Sequence, residues 1–264
     1  MTRGMTFGVI GATGKTGHRI ADRLEAEGRL VRRLSRPAFD WSEPAGWAAA
    51  LAGVDRLYIA FVPDLAVAGS DAVMSQLTDV ARAAGVTRLV LLSGRGEHGA
   101  RAAEDVVLGS GIQSTIVRAS WFSQNFTEGM LAGSVADGFV AIPAGERREP
   151  FVDVNDIADV AVAALTGEGH AGRVYEVTGP QLLGFADAAA ILTEARGHPV
   201  AYLPVSFEEF HAAVVPDVGV EAADMLTDLC REVFDGRNES LGSGVRQALG
   251  RDPRSLRDVL ATAL

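Results

Sequence analysis

Near the N-terminus, the run Phe7 to Gly17 (F-G-V-I-G-A-T-G-K-T-G) constrains the fold more than any other part of the chain. Phe7, Val9 and Ile10 make a short apolar run of strand type, which breaks into Gly11, Gly14 and Gly17. A helical period follows, with Ile20, Ala21 and Leu24 on one face, Arg19, Arg23 and Glu27 on the other, and Gly28 as the stop. Strand, glycine turn and helix is the opening of a dinucleotide-binding unit. The first glycine lets the chain turn off the strand, the second lets backbone N–H groups approach a pyrophosphate, and the third lets helix pack on strand. Gly11, Thr13, Gly14, Lys15, Thr16 and Gly17 are therefore the expected phosphate cradle. The rival phosphate motif, GxxxxGK[ST], fails by count. Its first glycine would stand at residue 9, which is Val9.

With 264 residues, of which 48% are hydrophobic, the chain can bury a large core. A net charge of −10 argues against nucleic acid or an anionic membrane surface as a partner. No apolar run approaches the roughly 18 residues of a membrane span, and Met1-Thr2-Arg3-Gly4 leads into the first strand without a signal-peptide core. A cytoplasmic protein, monomeric or homodimeric, is the expectation. Cys230 is the single cysteine and shares a helical stripe with Leu226, Leu229 and Val233, which fits a small core residue. The five histidines lack metal-ligand spacing, so no metal is expected. Lys15 is the only lysine, and all other cationic side chains except histidine are arginine.

Strand and helix signals alternate along the chain. Leu30 to Leu34 reads as a strand ending in Ser35 and Arg36. An arginine there offers a cation to a ribose 2′-phosphate, where an NAD site offers a carboxylate, so NADPH is the expected cofactor. A solvated arginine is the alternative. No helix-length segment separates this strand from Phe39-Asp40-Trp41, so one crossover is shortened. Asp40 and Trp41 would then flank the adenine, although Trp41 can equally serve as a core aromatic. Ser42 to Ala52 is a short capped helix, and Arg56 to Val62 a strand. Its carboxyl end, Phe61, Val62 and Pro63, would touch ribose or nicotinamide. A helix over Ser70 to Ala84 and a strand over Arg88 to Leu92 lead to Ser93-Gly94-Arg95-Gly96. A helix from His98 to Leu108 precedes the strand Ser114 to Val117. Trp121, Phe122 and Asn125 after it form a candidate substrate wall. Phe139–Ile142 and Phe151–Val154 read as short strands, with Asn155 or Asp156 capping the next helix. Val174 to Val177 is a further strand, Phe185 to Ala195 a helix, and the chain beyond Pro204 is helical. The fold expected is α/β, a Rossmann-type doubly wound parallel sheet with a small, mostly helical C-terminal substrate lobe. Residues 1–155 would hold the dinucleotide-binding part, with 156–264 supplying the remaining sheet elements and the lobe in one interleaved unit.

So placed, the chain resembles the NmrA-like atypical short-chain dehydrogenases/reductases over nearly its whole length. Gly11 to Gly17, Leu91-Leu92-Ser93, Arg118 with Trp121-Phe122 and Gln124-Asn125-Phe126, Pro150-Phe151-Val152, Asp156-Ile157-Ala158 and Gly179-Pro180 carry the resemblance. Phe39-Asp40-Trp41, Trp47, Leu249-Gly250-Arg251 and Pro253-Arg254 are similar to the branch holding ergot-alkaloid reductases such as festuclavine synthase. The resemblance implies an NADPH-dependent reductase of a small conjugated or cationic substrate, an imine, iminium or quinone, in secondary metabolism. It also leaves open an NADP(H)-sensing regulator and a non-redox isomerase or epimerase. One departure bears on mechanism. The Tyr-x-x-x-Lys pair of ordinary short-chain dehydrogenases is absent, and Glu97 and Arg101 stand where it would open a helix. They can form a solvated ion pair at i, i+4. Ser93, also expected to touch the cofactor, and Glu97 are the catalytic candidates, and Glu97, if it instead faces the pocket, would act as an anion toward a cationic substrate. No GxSxG elbow is present, which disfavours hydrolysis.

Overall fold

The computed structural model describes residues 4–264, so Met1, Thr2 and Arg3 lie outside the described residues. The elements, in order, are β1 (Thr6–Ile10), α1 (Lys15–Ala26), β2 (Leu30–Leu34), α2 (Trp47–Leu51), β3 (Arg56–Ile59), α3 (Ser70–Ala83), β4 (Arg88–Gly94), α4 (Ala100–Gly109) and β5 (Gln113–Ala119). There follow α5 (Ala132–Ala136), β6 (Phe139–Ile142), β7 (Arg148–Glu149), α6 (Val154–Thr166), β8 (Val174–Val177), β9 (Leu183–Gly184), α7 (Phe185–Arg196) and β10 (Ala201–Pro204). The helices α8 (Phe207–Val218), α9 (Val220–Val233), α10 (Gly244–Leu249) and α11 (Leu256–Ala263) complete the chain.

Six strands form one parallel sheet in the order β2-β1-β3-β4-β5-β8. The chain leaves β1 toward β2 and then crosses back to place β3 on the other side of β1. A ligand crevice opens outside the carboxyl ends of the strands at such a reversal. Both faces are covered. Ile20, Ala21 and Leu24 of α1 pack with Ile157, Ala161 and Leu165 of α6 on one face, and Leu77 of α3, Val107 of α4 and Leu51 of α2 on the other. A sheet buried on both faces needs near-continuous apolar strands, which is what Leu89 to Leu91 and Ile116 to Val117 supply. The third apolar cluster, built on Phe126, Phe151, Phe185, Phe210 and Leu256, forms the lobe.

The crossover between β2 and β3 is short, as the sequence implies. Its place is filled by aromatic rings. Trp41 meets Phe39, Trp47 and Phe61 edge-on at 5.0, 5.8 and 4.7 Å between centroids, and the Trp47 indole donates to the Asp40 carbonyl at 2.7 Å.

Five expectations are corrected. Strand β3 ends at Ile59 rather than Val62. Phe151–Val154 contributes only one bridge, Val152 to Phe122, and α6 begins at Val154. The cap is Asp153, whose carboxylate accepts from Asn155 N at 2.9 Å and from the Gln124 amide at 2.7 Å, so neither Asn155 nor Asp156 has that role. Helix α4 starts at Ala100, because Arg95 to Gly99 form a turn with Gly96 at φ +82°. Finally, Ala201–Pro204 is a strand, paired in parallel with β6, that the sequence reading lacks.

Candidate active site

The glycine turn has the geometry its spacing demands. Gly11 sits at φ +78°, where a side chain is strained, and a Cβ on Gly17 would lie 2.2 Å from the Gly11 carbonyl oxygen. Gly14 is exposed, and its nearest obstacle is Gly11 O at 3.3 Å from a Cβ. The first-turn N–H groups of α1 have no partner within the helix. An open, side-chain-free cradle of unpaired donors fits a dinucleotide pyrophosphate.

Around this turn the expected residues divide. The Thr13 hydroxyl lies 3.4 Å from Ser35 Oγ at the rim of the crevice. The Thr16 side chain is a correction: it is buried and accepts from the Tyr58 hydroxyl at 2.9 Å, which leaves only its backbone for a phosphate. Arg36 is exposed and borders a hollow of about 300 Å³ with Phe39, Asp40 and Trp47. Asp40 spends one carboxylate oxygen on Ser42 N and Oγ, at 2.9 and 2.7 Å, and these bonds hold its carboxyl below the ordinary value. Trp41 is half-buried in the aromatic cluster, one face of its role being structural.

A second, larger cavity of about 590 Å³ opens between the carboxyl ends of β3, β4 and β5 and the helices α8 and α9. Phe61 and Pro63 line it, whereas Val62 is 59% exposed and does not. Trp121, Phe122 and Asn125 form one wall, and Val214, Leu226, Leu229 and Val233 cover the other side. The Trp121 indole nitrogen is buried without a hydrogen-bond partner.

Ser93 lies in the wall, but its hydroxyl proton is committed. It donates to Glu104 Oε1 at 2.6 Å, and Glu104 is fixed in turn by Arg118 Nε at 2.8 and 3.0 Å. The catalytic candidate Ser93 therefore has no hydroxyl proton free for a substrate or cofactor. The i, i+4 pairing of Glu97 with Arg101 does not form either, since Arg101 reaches Glu104 instead, at 3.8 Å. Glu97 precedes α4 and folds back over Gly94, where a Cβ would strike its carboxyl group at 1.8 Å. It is 8% exposed and borders the cavity. Burial first, then Asp64, Glu232 and Glu104, push its carboxyl up to about 8. At neutral pH it is mostly a neutral acid, the reverse of the anion expected from sequence. Asp64, itself raised by burial, and Asn238 are cavity residues that sequence reasoning misses. They lie on irregular loops, where no periodicity marks them.

No protein-family model matches the chain. An NAD(P)H azoreductase of Xenophilus azovorans is 32% identical over 257 residues, covering 86% of this chain and 85% of the relative. The chain belongs to the NmrA-like atypical short-chain reductases. Festuclavine synthase I of Penicillium roqueforti is 28% identical across 96% of each chain. Among solved structures, the Citrobacter sp. triphenylmethane reductase complexed with NADP(H) superposes with a TM-score of 0.77 at 23% identity, covering 98% of this chain and 100% of that one. The NADPH-dependent quinone oxidoreductase QOR2 of Escherichia coli, with NADPH bound, gives 0.77 at 24% identity, covering 97% and 99%. These two share the fold. As a member of this family the chain is an NAD(P)H-dependent oxidoreductase. No helix among the described residues is long and apolar enough to cross a membrane, and none of their His, Cys, Asp and Glu side chains cluster to hold a metal.

Proposed function

We propose that the chain is an NADPH-dependent reductase that delivers hydride to a small, planar, conjugated acceptor, of the quinone or imine kind, in a specialised metabolic route. The observation that carries this reading is a single cavity that begins at the dinucleotide turn, through Lys15, and ends at the buried acid Glu97. The glycine turn would hold the pyrophosphate, Arg36 the 2′-phosphate, and Phe61 and Pro63 the nicotinamide end. The cofactor supplies a hydride from its reduced nicotinamide. The chain orients the acceptor between Trp121 and Phe122, excludes water with α8 and α9, and supplies a proton from Glu97.

For a quinone the balance is simple. Hydride and its two electrons reduce the ring, the oxidised cofactor leaves, and one proton passes from the Glu97 carboxyl to an acceptor oxygen. Glu97 thereby replaces the proton donor that the missing Tyr-Lys pair would provide. The absence of that pair then gives no support to a cofactor sensor without catalysis. The test is loss of reduced-nicotinamide absorbance with 1,4-naphthoquinone, an azo dye and a preformed cyclic iminium as acceptors. Turnover of at least one is expected, faster with NADPH than NADH. Cofactor binding without turnover of any acceptor would instead support a sensor.

A further inference from the structure

Lys15, the chain's only lysine, turns its side chain away from the glycine turn. It is the first residue of α1, yet its side chain leaves the turn and enters the large cavity, where Nζ donates to Asn125 Oδ1 at 2.8 Å. Room for it comes from Gly129, at which a Cβ would lie 2.7 Å from Nζ. The nearby carboxylate Glu128 is taken by Arg19, through Nη1 at 3.1 Å and a second contact from Nη2, and Arg19 also donates to the Lys15 carbonyl at 2.8 Å. Among the described residues no carboxylate lies within ion-pair distance of the Lys15 ammonium. Burial holds it below the ordinary lysine range, Glu128 pulls it back up, and Arg19 lowers it further. The other cation of the cavity, Arg95, is already spent on Glu176 at 3.0 Å and on the carbonyls of Asn238 and Ser240 at 2.9 Å.

The bond from Lys15 also fixes the Asn125 amide. Only its oxygen can face an ammonium, so Nδ2 is left as a donor without a partner among the described residues. A cationic donor and a neutral amide donor thus meet at the Trp121–Asn125 wall, and the neutral acid Glu97 stands on the turn after β4. A half-buried cation without an anion is costly, and an oxyanion placed there is strongly stabilised in a water-poor site.

Resting on the reductase reading above, we infer that Lys15 and Asn125 are the seat for the oxyanion that the acceptor becomes on reduction, and that the natural acceptor is a carbonyl-bearing conjugated molecule of the quinone class rather than an iminium. A quinone carries two oxygens. Hydride makes one of them a hydroxyl, the displaced electron pair makes the other an anion against Lys15 and Asn125 Nδ2, and the Glu97 proton then neutralises that anion so that the hydroquinone leaves. An iminium gains nothing from the seat and is repelled by the ammonium.

The experiment uses the full chain loaded with NADP⁺ and 4-nitrophenol as the bound probe, with the phenol–phenolate transition followed by absorbance. The bound phenol is expected to ionise at least about tenfold more readily than in water, which corresponds to a drop of one pKa unit. Lys15→Met should abolish that drop and reduce kcat with 1,4-naphthoquinone by about 10²-fold. Its NADPH dissociation constant, read from nicotinamide fluorescence, should stay unchanged, and turnover of the iminium should hold or rise. Asn125→Asp, which sets a carboxylate against the probe, should raise the bound phenol's pKa above its value in water. A Lys15→Met protein that binds NADPH tenfold more weakly while the phenol pKa stays put would assign Lys15 to the cofactor phosphates and overturn the inference. So would a nitrophenol that fails to bind or titrates as in water. Failure of the reductase reading is distinct, being no NADPH consumption by the unaltered chain with any acceptor.

Discussion

Glu97 is the single side chain on which the proposed proton transfer rests. Its carboxyl is held up to about 8 chiefly by burial, with Asp64 and Glu232 adding repulsion from the β3 loop and α9. As a proton donor it acts in its protonated form, so kcat with a quinone should be level at low pH and fall as pH rises through about 8. Glu97→Gln keeps the shape and loses the proton. It should reduce kcat by about 10²-fold and remove the alkaline fall, with KM little changed. A Glu97→Gln protein with normal kcat and a raised KM would return the residue to a binding role. Arg36 is the residue proposed to set cofactor choice. It stands exposed beside the hollow after β2, with Ser35 next to it. Arg36→Ala should cost roughly 1.5 to 3 kcal/mol of NADPH affinity and leave NADH binding alone. Titration of both cofactors checks this, and equal affinities in the unaltered chain would remove the 2′-phosphate contact from the reading.

At the scale of the element, the turn between β1 and α1 separates two glycines that look alike in sequence. Gly17 lies under the Gly11 carbonyl at a distance no Cβ can occupy, whereas Gly14 faces outward with extended backbone at φ −79°. Gly17→Ala should therefore destabilise the fold by about 1 to 3 kcal/mol, through forced separation of helix and strand. Gly14→Val should melt nearly as the unaltered chain does and yet fail to bind NADPH. Thermal unfolding and nicotinamide fluorescence distinguish the two, and a Gly14→Val protein that binds normally would move the phosphates elsewhere. The turn and the βα alternation are legible in the sequence because each is local: glycine spacing and apolar period act within a dozen residues. The wall of Trp121, Phe122 and Asn125 is legible for the same reason. What escapes is set by partners distant in the chain. Thr16 turns inward because Tyr58 awaits it, Ser93 turns to Glu104, and Glu97 becomes a neutral acid because the fold buries it and then brings Asp64 and Glu232 near. None of those partners leaves a mark on the residue's own neighbours.

For the molecule as a whole, ions tie the lobe to the sheet, and one buried acid without a hydrogen-bond partner weakens the fold as pH rises. Arg251 and Arg254 strap the C-terminal segment to α6. Asp156 accepts Arg251 at 2.7 Å and Arg254 at 2.5 Å, and Asp159 accepts Arg251 at 2.6 Å and Arg23 of α1 at 2.8 Å. Glu149 on β7 is different. It is 1% exposed, its Oε2 has no hydrogen-bond partner, and burial pushes its carboxyl up to about 8, with Arg95 opposing and Glu239 reinforcing. The unfolded chain releases this proton near the ordinary 4.5, while the folded chain keeps it until about 8. Between those values the folded state binds more protons, so stability falls as pH rises. The penalty is absent below 4.5, grows across the window and is complete above about 8. Glu97 adds a second penalty of the same sign over the same window. Glu149→Gln, neutral at every pH, should therefore raise the melting temperature at pH values near the upper end, by an amount worth about 1 to 3 kcal/mol. The gain should shrink steadily toward the lower end and vanish there. Melting curves of both proteins across the window measure it, and a difference that does not change with pH would mean that Glu149 ionises as easily in the folded chain as in the unfolded one.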